Sequence, residues 1–323
     1  MRKLFRSIHA AAFLAALTLS TSLAAQTPST PVRIVVPFSA AGVTDLVARM
    51  LAEKLSKEWQ RPVIVENKPG AGGNIGAEYV SRAPTDGSVF LLAGTSIVIN
   101  SALQENVPYE LMKTVVPVSL LADLPFLIVV SPSLPVQSLR ELVEHSRSHP
   151  GVLNFGSGGT GTTPHVAGEQ FKQATNTDIV HVPFKGAAPA TTELVAGRIQ
   201  LMIDSAQGLA PLVESGKLKA LATPREKRID QLPSVPTTSE AGIPGFEVSS
   251  WLSLWAPGGT PREIIDSVSA DIARILKDPE IRQKLEQQVI EPVGSTPAEF
   301  EAVVNAELAK WTEVIQRAGI TTQ

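Results

Sequence analysis

The 323-residue chain is 43% hydrophobic and 18% charged, lacks cysteine, and carries 28 basic against 31 acidic side chains, a net charge of −3. Such a length can bury a large core without disulfides, and the absence of cysteine excludes both a disulfide framework and a lipid-anchored thiol. No basic block follows the first few residues, which excludes nucleic acid and anionic membrane surfaces as partners.

Arg2, Lys3 and Arg6 open the chain, followed by an apolar run at 11–19 and small residues around Leu23, Ala24 and Ala25. This order predicts a secretory signal peptide over residues 1–25, its apolar run too short to span a bilayer, and hence a periplasmic protein. Removing it takes away three basic residues and leaves 25 basic against 31 acidic, a charge of −6. The remaining length predicts two domains. "VRIVVPF" (32–38) is a β-branched, continuously apolar run, as expected of a strand covered on both faces. In "TDLVARMLAEKLSKEW", Leu46, Met50, Leu51 and Leu55 recur at helical spacing. "PVIVENK", "SVFLLAGTS" and "FLIVVSP" read as further strands, as do "VLNFGS", "IVHVPF", "IQLMID", "LKALATP" and "SSWLSLWAP". Helices fit between most of them, for example over 138–148 and 189–197, and the chain closes with a mainly helical stretch. The alternation predicts an α/β protein with largely parallel sheets, whose ligand loops lie at the carboxyl ends of the strands.

One such loop is "NFGSGGTGTTPH" (154–165), in which Gly156, Gly158 and Gly161 spell G-x-G-x-x-G. A P-loop needs Lys where Thr162 stands, and a dinucleotide site needs an acid closing the next strand, which here runs into Lys185-Gly186. A nucleotide is therefore not expected, and no cofactor is implied. Thr163-Pro164 reads as the N-cap and first residue of a helix, whose opening N–H groups and dipole suit a small carboxylate. Ser157, Thr160 and Thr162 add hydroxyls; a tight turn without ligand explains the same glycines. "PFSAAGVTD" (37–45) is built alike, with Gly42 in the turn and Thr44 or Asp45 as cap. Two cradles on a two-domain chain predict a cleft that grips a ligand from both sides.

His165 and Glu169 have i, i+4 spacing, but one pair makes no metal site, and neither a metal cluster nor a nucleophile–base–orienter set is evident. His181, within a strand, reads as packed. Asp204, ending an apolar strand, either accepts a hydrogen bond from a ligand or caps the next turn. Lys185 either compensates a carboxylate or faces solvent. Trp251 and Trp255 read as core or hinge packing.

Five stretches taken together, "PVRIVVPFSAAGVTDLVARMLAEKL", "VENKPGAGGNIGAEYV", "NFGSGGTGTTPHVAGEQFK", "VPFKGAAPATTELVAGRIQLMID" and "LWAPGGTP", resemble successive signatures of the Bug receptors. These are periplasmic substrate-binding proteins of tripartite tricarboxylate transporters, and the resemblance covers nearly the whole mature chain. It implies a two-domain Venus-flytrap fold of the type II periplasmic binding class, with domain 1 over 27–124 and 248–323 and domain 2 over 125–247. The chain would cross between domains near 123–126 and 247–251. It also implies a carboxylate held between the two loops by Phe38, Ser39, Ala40, Gly42 and Asp45 on one side. Ser157, Gly158, Thr160, Gly161, Thr162 and His165 would hold it on the other. Gly94 and Thr95, the run Phe184, Lys185 and Gly186, and Asp204 would line the remaining walls. Ala41 stands where the family pattern has a glycine, and its Cβ narrows the approach to that backbone. The implied function is a monomeric, non-catalytic receptor that delivers a small carboxylated molecule to integral membrane transporter subunits. A ligand sensor for a signalling partner, or a periplasmic enzyme using Asp45, His165 or Asp204, is the alternative.

Overall fold

The computed structural model describes residues 30–103, 107–248 and 250–318; the predicted signal peptide lies outside them. The chain begins with β1 (Val32–Val36), α1 (Val43–Glu58), β2 (Val63–Asn67), a 3-10 turn (Ala71–Gly73), α2 (Asn74–Ser81), β3 (Val89–Gly94), α3 (Ser96–Leu103) and β4 (Val115–Asp123). Next come β5 (Phe126–Val130), α4 (Leu139–Ser148), β6 (Asn154–Ser157), α5 (Thr163–Thr175) and β7 (Val180–Pro183). They are followed by α6 (Ala187–Val195), β8 (Leu201–Ser205), α7 (Ala206–Glu214) and β9 (Lys219–Ala222). The last elements are β10 (Trp251–Pro257), α8 (Arg262–Leu276), α9 (Pro279–Glu286), β11 (Glu291–Pro292) and α10 (Pro297–Ala318).

The strands form two sheets, one ordered β11-β4-β10-β3-β1-β2 and the other β7-β6-β8-β5-β9. Setting aside β11, the two orders are the same pattern. β1 corresponds to β6, β2 to β7, β3 to β8, β4 to β9, and β10 to β5. The sheets are mixed where the sequence predicts largely parallel ones. β10 runs antiparallel to β3 and β4, and β5 antiparallel to β8 and β9. Each of these is the first strand after the chain passes from one sheet to the other. A doubly buried apolar strand reads the same in either direction, so its orientation is invisible in the sequence. β4 is absent from the sequence reading because Pro117 and Ser119 interrupt its pattern. A proline cannot donate to a ladder, yet Pro117 lies beside a register shift against Leu254 and Trp255, where a bulge relieves that demand.

Helices cover both faces of each sheet. On the first sheet, Val47, Leu51 and Leu55 of α1 pack with Val268, Ile272 and Ile275 of α8 on one side. Ala77, Ile97, Phe300 and Trp311 form the other side. On the second, Leu142 of α4 and Phe171 of α5 face one way and Leu194 of α6 and Leu209 of α7 the other. Two valines are exchanged between the halves. Val166 of α5 belongs to the core beside α3 and α10, and Val289, between α9 and β11, is buried with Leu127, Ile229 and Leu232.

The passages between the sheets lie side by side. β4 ends at Asp123 and β5 starts at Phe126, while Phe246 and Val248 still pack in the second sheet's core before β10 begins at Trp251. Leu124 N–H donates to Ser250 O at 2.8 Å, and Asp123 is in register with both Trp251 and Glu291. Arg225, from the second half, completes the row with two hydrogen bonds of 2.6 Å to the Glu291 carboxylate.

Candidate functional site

The loops after β1 and β6 occupy corresponding places and are built alike. α1 has Gly42 at its N-cap with φ −82 and ψ 171; α5 has Thr162 there with φ −80 and ψ 157. The preceding residue is left-handed in both, Ala41 at φ 68 and Gly161 at φ 79. The third helical residue then folds back onto the amide of that left-handed residue. Asp45 Oδ2 accepts from Ala41 N–H at 3.0 Å, and His165 Nδ1 accepts from Gly161 N–H at 3.2 Å. The caps thus differ from the sequence reading. Thr162 replaces Thr163, and Gly42 replaces Thr44 or Asp45, because the acceptor at the third helical residue closes each loop one or more residues earlier.

The two acceptors are supported differently. Asp45 is buried and held by Arg49 through Nε at 2.8 Å and Nη2 at 3.0 Å, and by Asn67 Nδ2 at 2.9 Å. Hydrogen bonding from Arg49 dominates, and despite burial it brings the Asp45 pKa down to about 2. Asn67 also donates to Phe38 O at 3.1 Å, tying β2 to the loop. His165 is supported without charge. Its ring stacks on His181 at 4.0 Å between centroids, and His181 Nε2 meets Ser157 Oγ at 2.7 Å. Burial depresses both imidazoles, His181 to about 3. Nδ1 of His165 accepts, so the neutral ring carries its proton on Nε2.

Ser157 is fully buried, with its Oγ also donating to Gly159 O and accepting from Gly159 N–H, both at 3.1 Å. Thr162 Oγ1 donates to Gly159 O at 2.7 Å. These hydroxyls shape the loop from within, whereas Ser39, Ala40, Gly42 and Thr160 are exposed. Phe184 and Gly186 extend the β6–β7 ladder, their N–H groups donating to Ser157 O at 3.0 Å and Gly158 O at 3.2 Å. A Cβ on Gly158 would lie 3.3 Å from Ala187 N, so this glycine permits the two loops to touch. Lys185 is exposed. Thr95 Oγ1 accepts from Trp251 N–H at 3.0 Å beside the second passage, next to Gly94. Asp204, next to last in β8, is buried, and burial pushes its pKa up to about 6.

Gly161 also meets the first half of the molecule. A Cβ there would be 3.1 Å from Asn100 Oδ1 and 3.5 Å from Leu103 Cδ2, both on α3. Asn100 Nδ2 in turn donates to Gly72 O at 3.0 Å and Asn74 Oδ1 at 3.1 Å, and Tyr109 OH donates to Asn74 Oδ1 at 3.0 Å. The glycine loop therefore rests on a buried amide of the opposite half.

The family model for the tripartite tricarboxylate transporter family receptor matches residues 47–320. The chain belongs to this family. It is 32% identical over 310 residues to the protein BugT of Bordetella pertussis, covering 95% of each chain. The solved structure of R. palustris Rpa4515 with adipate superposes with a TM-score of 0.85 at 37% identity, covering 91% of this chain and 99% of that one. MatC (Rpa3494) from Rhodopseudomonas palustris with bound malate gives a TM-score of 0.81 at 32% identity, covering 89% and 99%. The two-sheet α/β architecture is that of the periplasmic binding proteins to which these receptors belong.

Several supporting residues escaped the sequence reading. Arg49 was findable, since Asp45 and Arg49 stand at i, i+4 on a helix. Asn67, Asn100 and Tyr109 were not, being distant in sequence from what they hold. The run Gly70, Ala71, Gly72 and Gly73, all with positive φ, packs against Phe38 and Asn100. It was visible only as part of a family signature. Among the described residues no group of three His, Asp or Glu is placed to hold a metal, and no helix is long and apolar enough to cross a membrane.

Proposed function

We propose that this chain is a periplasmic solute-binding receptor that captures a small organic carboxylate between the 38–45 and 157–162 loops and presents it to membrane transporter subunits. The observation that carries this reading is the repeated loop. Two helix N-termini, each with a left-handed residue and an acceptor at the third helical residue, follow corresponding strands of the two sheets. Such ends offer backbone N–H groups and a positive dipole to an anion. Relatives solved with adipate and malate support a carboxylate as cargo. The walls at Gly94, Thr95, Phe184, Lys185, Gly186 and Asp204 complete the proposed site.

The proposed domains are 27–124 with 248–323, and 125–247, a monomer that closes about the adjacent passages and exports by cleavage within residues 1–25. A non-catalytic role fits the Ser157–His181 contact, because Ser157 is fully buried and its hydroxyl is tied to Gly159. The test is a thermal-shift screen of mono-, di- and tricarboxylates. A ligand at 100 times its Kd should stabilise by about 2.7 kcal/mol. Small-angle scattering with the best hit should then show a smaller radius of gyration. No stabilisation by any organic acid would remove the receptor reading, and an unchanged scattering profile would remove closure.

A further inference from the structure

Asp204 has an internal counterpart without a side chain. β3 and β8 hold the same place in their sheets, each between a parallel neighbour and the antiparallel strand that has just passed over. Their ends align Gly94-Thr95 with Asp204-Ser205, since α3 and α7 begin at the next residue. Thr95 Oγ1 has its partner in Trp251 N–H, whereas Ser205 Oγ, buried in the equivalent place, has none. Asp204 is 8% exposed; its Oδ1 accepts from Ser205 N–H at 2.7 Å and its Oδ2 meets no partner. Its surroundings supply burial and one N–H but no cation. The first sheet turns this corner with a glycine, so the architecture does not require a carboxylate, and a buried unpartnered one opposes folding.

The position points to what the carboxylate is for. The β6–β8 register pairs Phe155 with Leu201 and Gly156 with Met202. Continued two residues past the last pair, that direction points Asp204 towards Gly158. Asp204 therefore lies towards the loop proposed to anchor the ligand's carboxylate, with its Oδ2 and the neighbouring Ser205 Oγ without partners. A second ionised carboxylate there would meet like charge at short range, whereas a hydroxyl or ammonium group would supply the missing donor. Resting on the receptor reading above, we infer that Asp204 and Ser205 select ligands carrying a hydrogen-bond donor next to the anchored carboxylate. Hydroxy or amino acids are then favoured over their unsubstituted parents.

The experiment is calorimetric titration of the mature protein with acids paired by one hydroxyl, lactate against propionate and malate against succinate. The hydroxylated member should bind about tenfold more tightly or better, the worth of one hydrogen bond to a charged group. Asp204→Ala should bring each pair within about twofold. Equal affinities in the native protein, or a preference that survives in Asp204→Ala, would overturn the inference and leave the receptor intact; binding of no acid would overturn both. A second measurement separates selection from a structural role. The folded pKa of Asp204, about 6, lies above its ordinary 3.8, so its ionisation opposes folding above about pH 6 and ceases to do so below about pH 4. Unliganded Asp204→Asn should melt no lower than the native protein at neutral pH, and a clear drop would assign the carboxylate to the fold instead.

Discussion

The loop at 38–45 and the loop at 157–165 solve one problem with opposite electrostatics. Each must hold a left-handed residue at the mouth of a helix while leaving amides open to an anion. The first uses an ionised aspartate whose charge is balanced by Arg49; the second uses a neutral histidine braced by another neutral histidine. They differ too at the left-handed residue, which is Ala41 in one and Gly161 in the other. Ala41 is exposed and can carry a Cβ at a strain cost, whereas a Cβ on Gly161 would press on Asn100 at 3.1 Å. The lesson is that the same backbone can be specified locally, as at Asp45, or by a contact with the other half, as at Gly161.

Four measurements break or sharpen that contrast. Gly161→Val should have the largest effect. Its Cβ would meet Asn100 Oδ1 at 3.1 Å and its φ of 79 suits only glycine well, so calorimetry should find ligand affinity lower by about a hundredfold or more. Circular dichroism should show the fold retained. Asp45→Ala comes next. It removes the acceptor for Ala41, Arg49 and Asn67 together, and chemical denaturation should show about 2–3 kcal/mol lost at neutral pH. The folded pKa of about 2 lies below the ordinary 3.8. That stabilisation is therefore complete above about pH 4 and is lost as pH falls through about 2, so the mutant and native curves should converge in strong acid.

Histidine should show a dependence of the same sign in a higher pH window. Burial lowers the His165 pKa, so its neutral form is favoured by folding, and stability is lost as pH falls below about 6.5, the ordinary histidine value. His165→Gln keeps an acceptor for Gly161 without titrating. The difference in melting temperature between native and variant should shift in the variant's favour between pH 7 and pH 5, and a constant difference would refute the role given to the neutral ring. Smallest of all, Ala41→Gly should raise stability by about 1 kcal/mol by relieving the left-handed alanine, a rise of about 2–4 °C in Tm.

Much of this was legible in the chain. The apolar runs of β1, β3 and β5 and the amphipathic α1 follow directly from burial on two faces or one. Both loops at the site were found because glycine and helix-capping residues after a strand have a local cause. β4 was hidden because its proline is excused by a bulge in a partner more than a hundred residues away. Asn100 was hidden because its role exists only once α3 and the glycine loop face each other. His181 was expected to pack, which it does against Phe155 and His165, but its bond to Ser157 depends on the parallel pairing of β6 with β7. Local chemistry is written locally, and contacts between halves are not.

The row formed by Glu291, Asp123 and Trp251 has a mechanical consequence. They sit in register on the adjacent strands β11, β4 and β10, so the two chain passages and the Arg225–Glu291 pair lie along a line about 10 Å long. Pins set in a line make a door hinge, whereas a single linker makes a ball joint. Swinging about that line leaves these strand pairings in place, while twisting would shear the Arg225–Glu291 pair and draw Val289 out of its pocket. The proposed closure would therefore turn about one axis, and opening would have to lift Val166 and Gly161 away from α3.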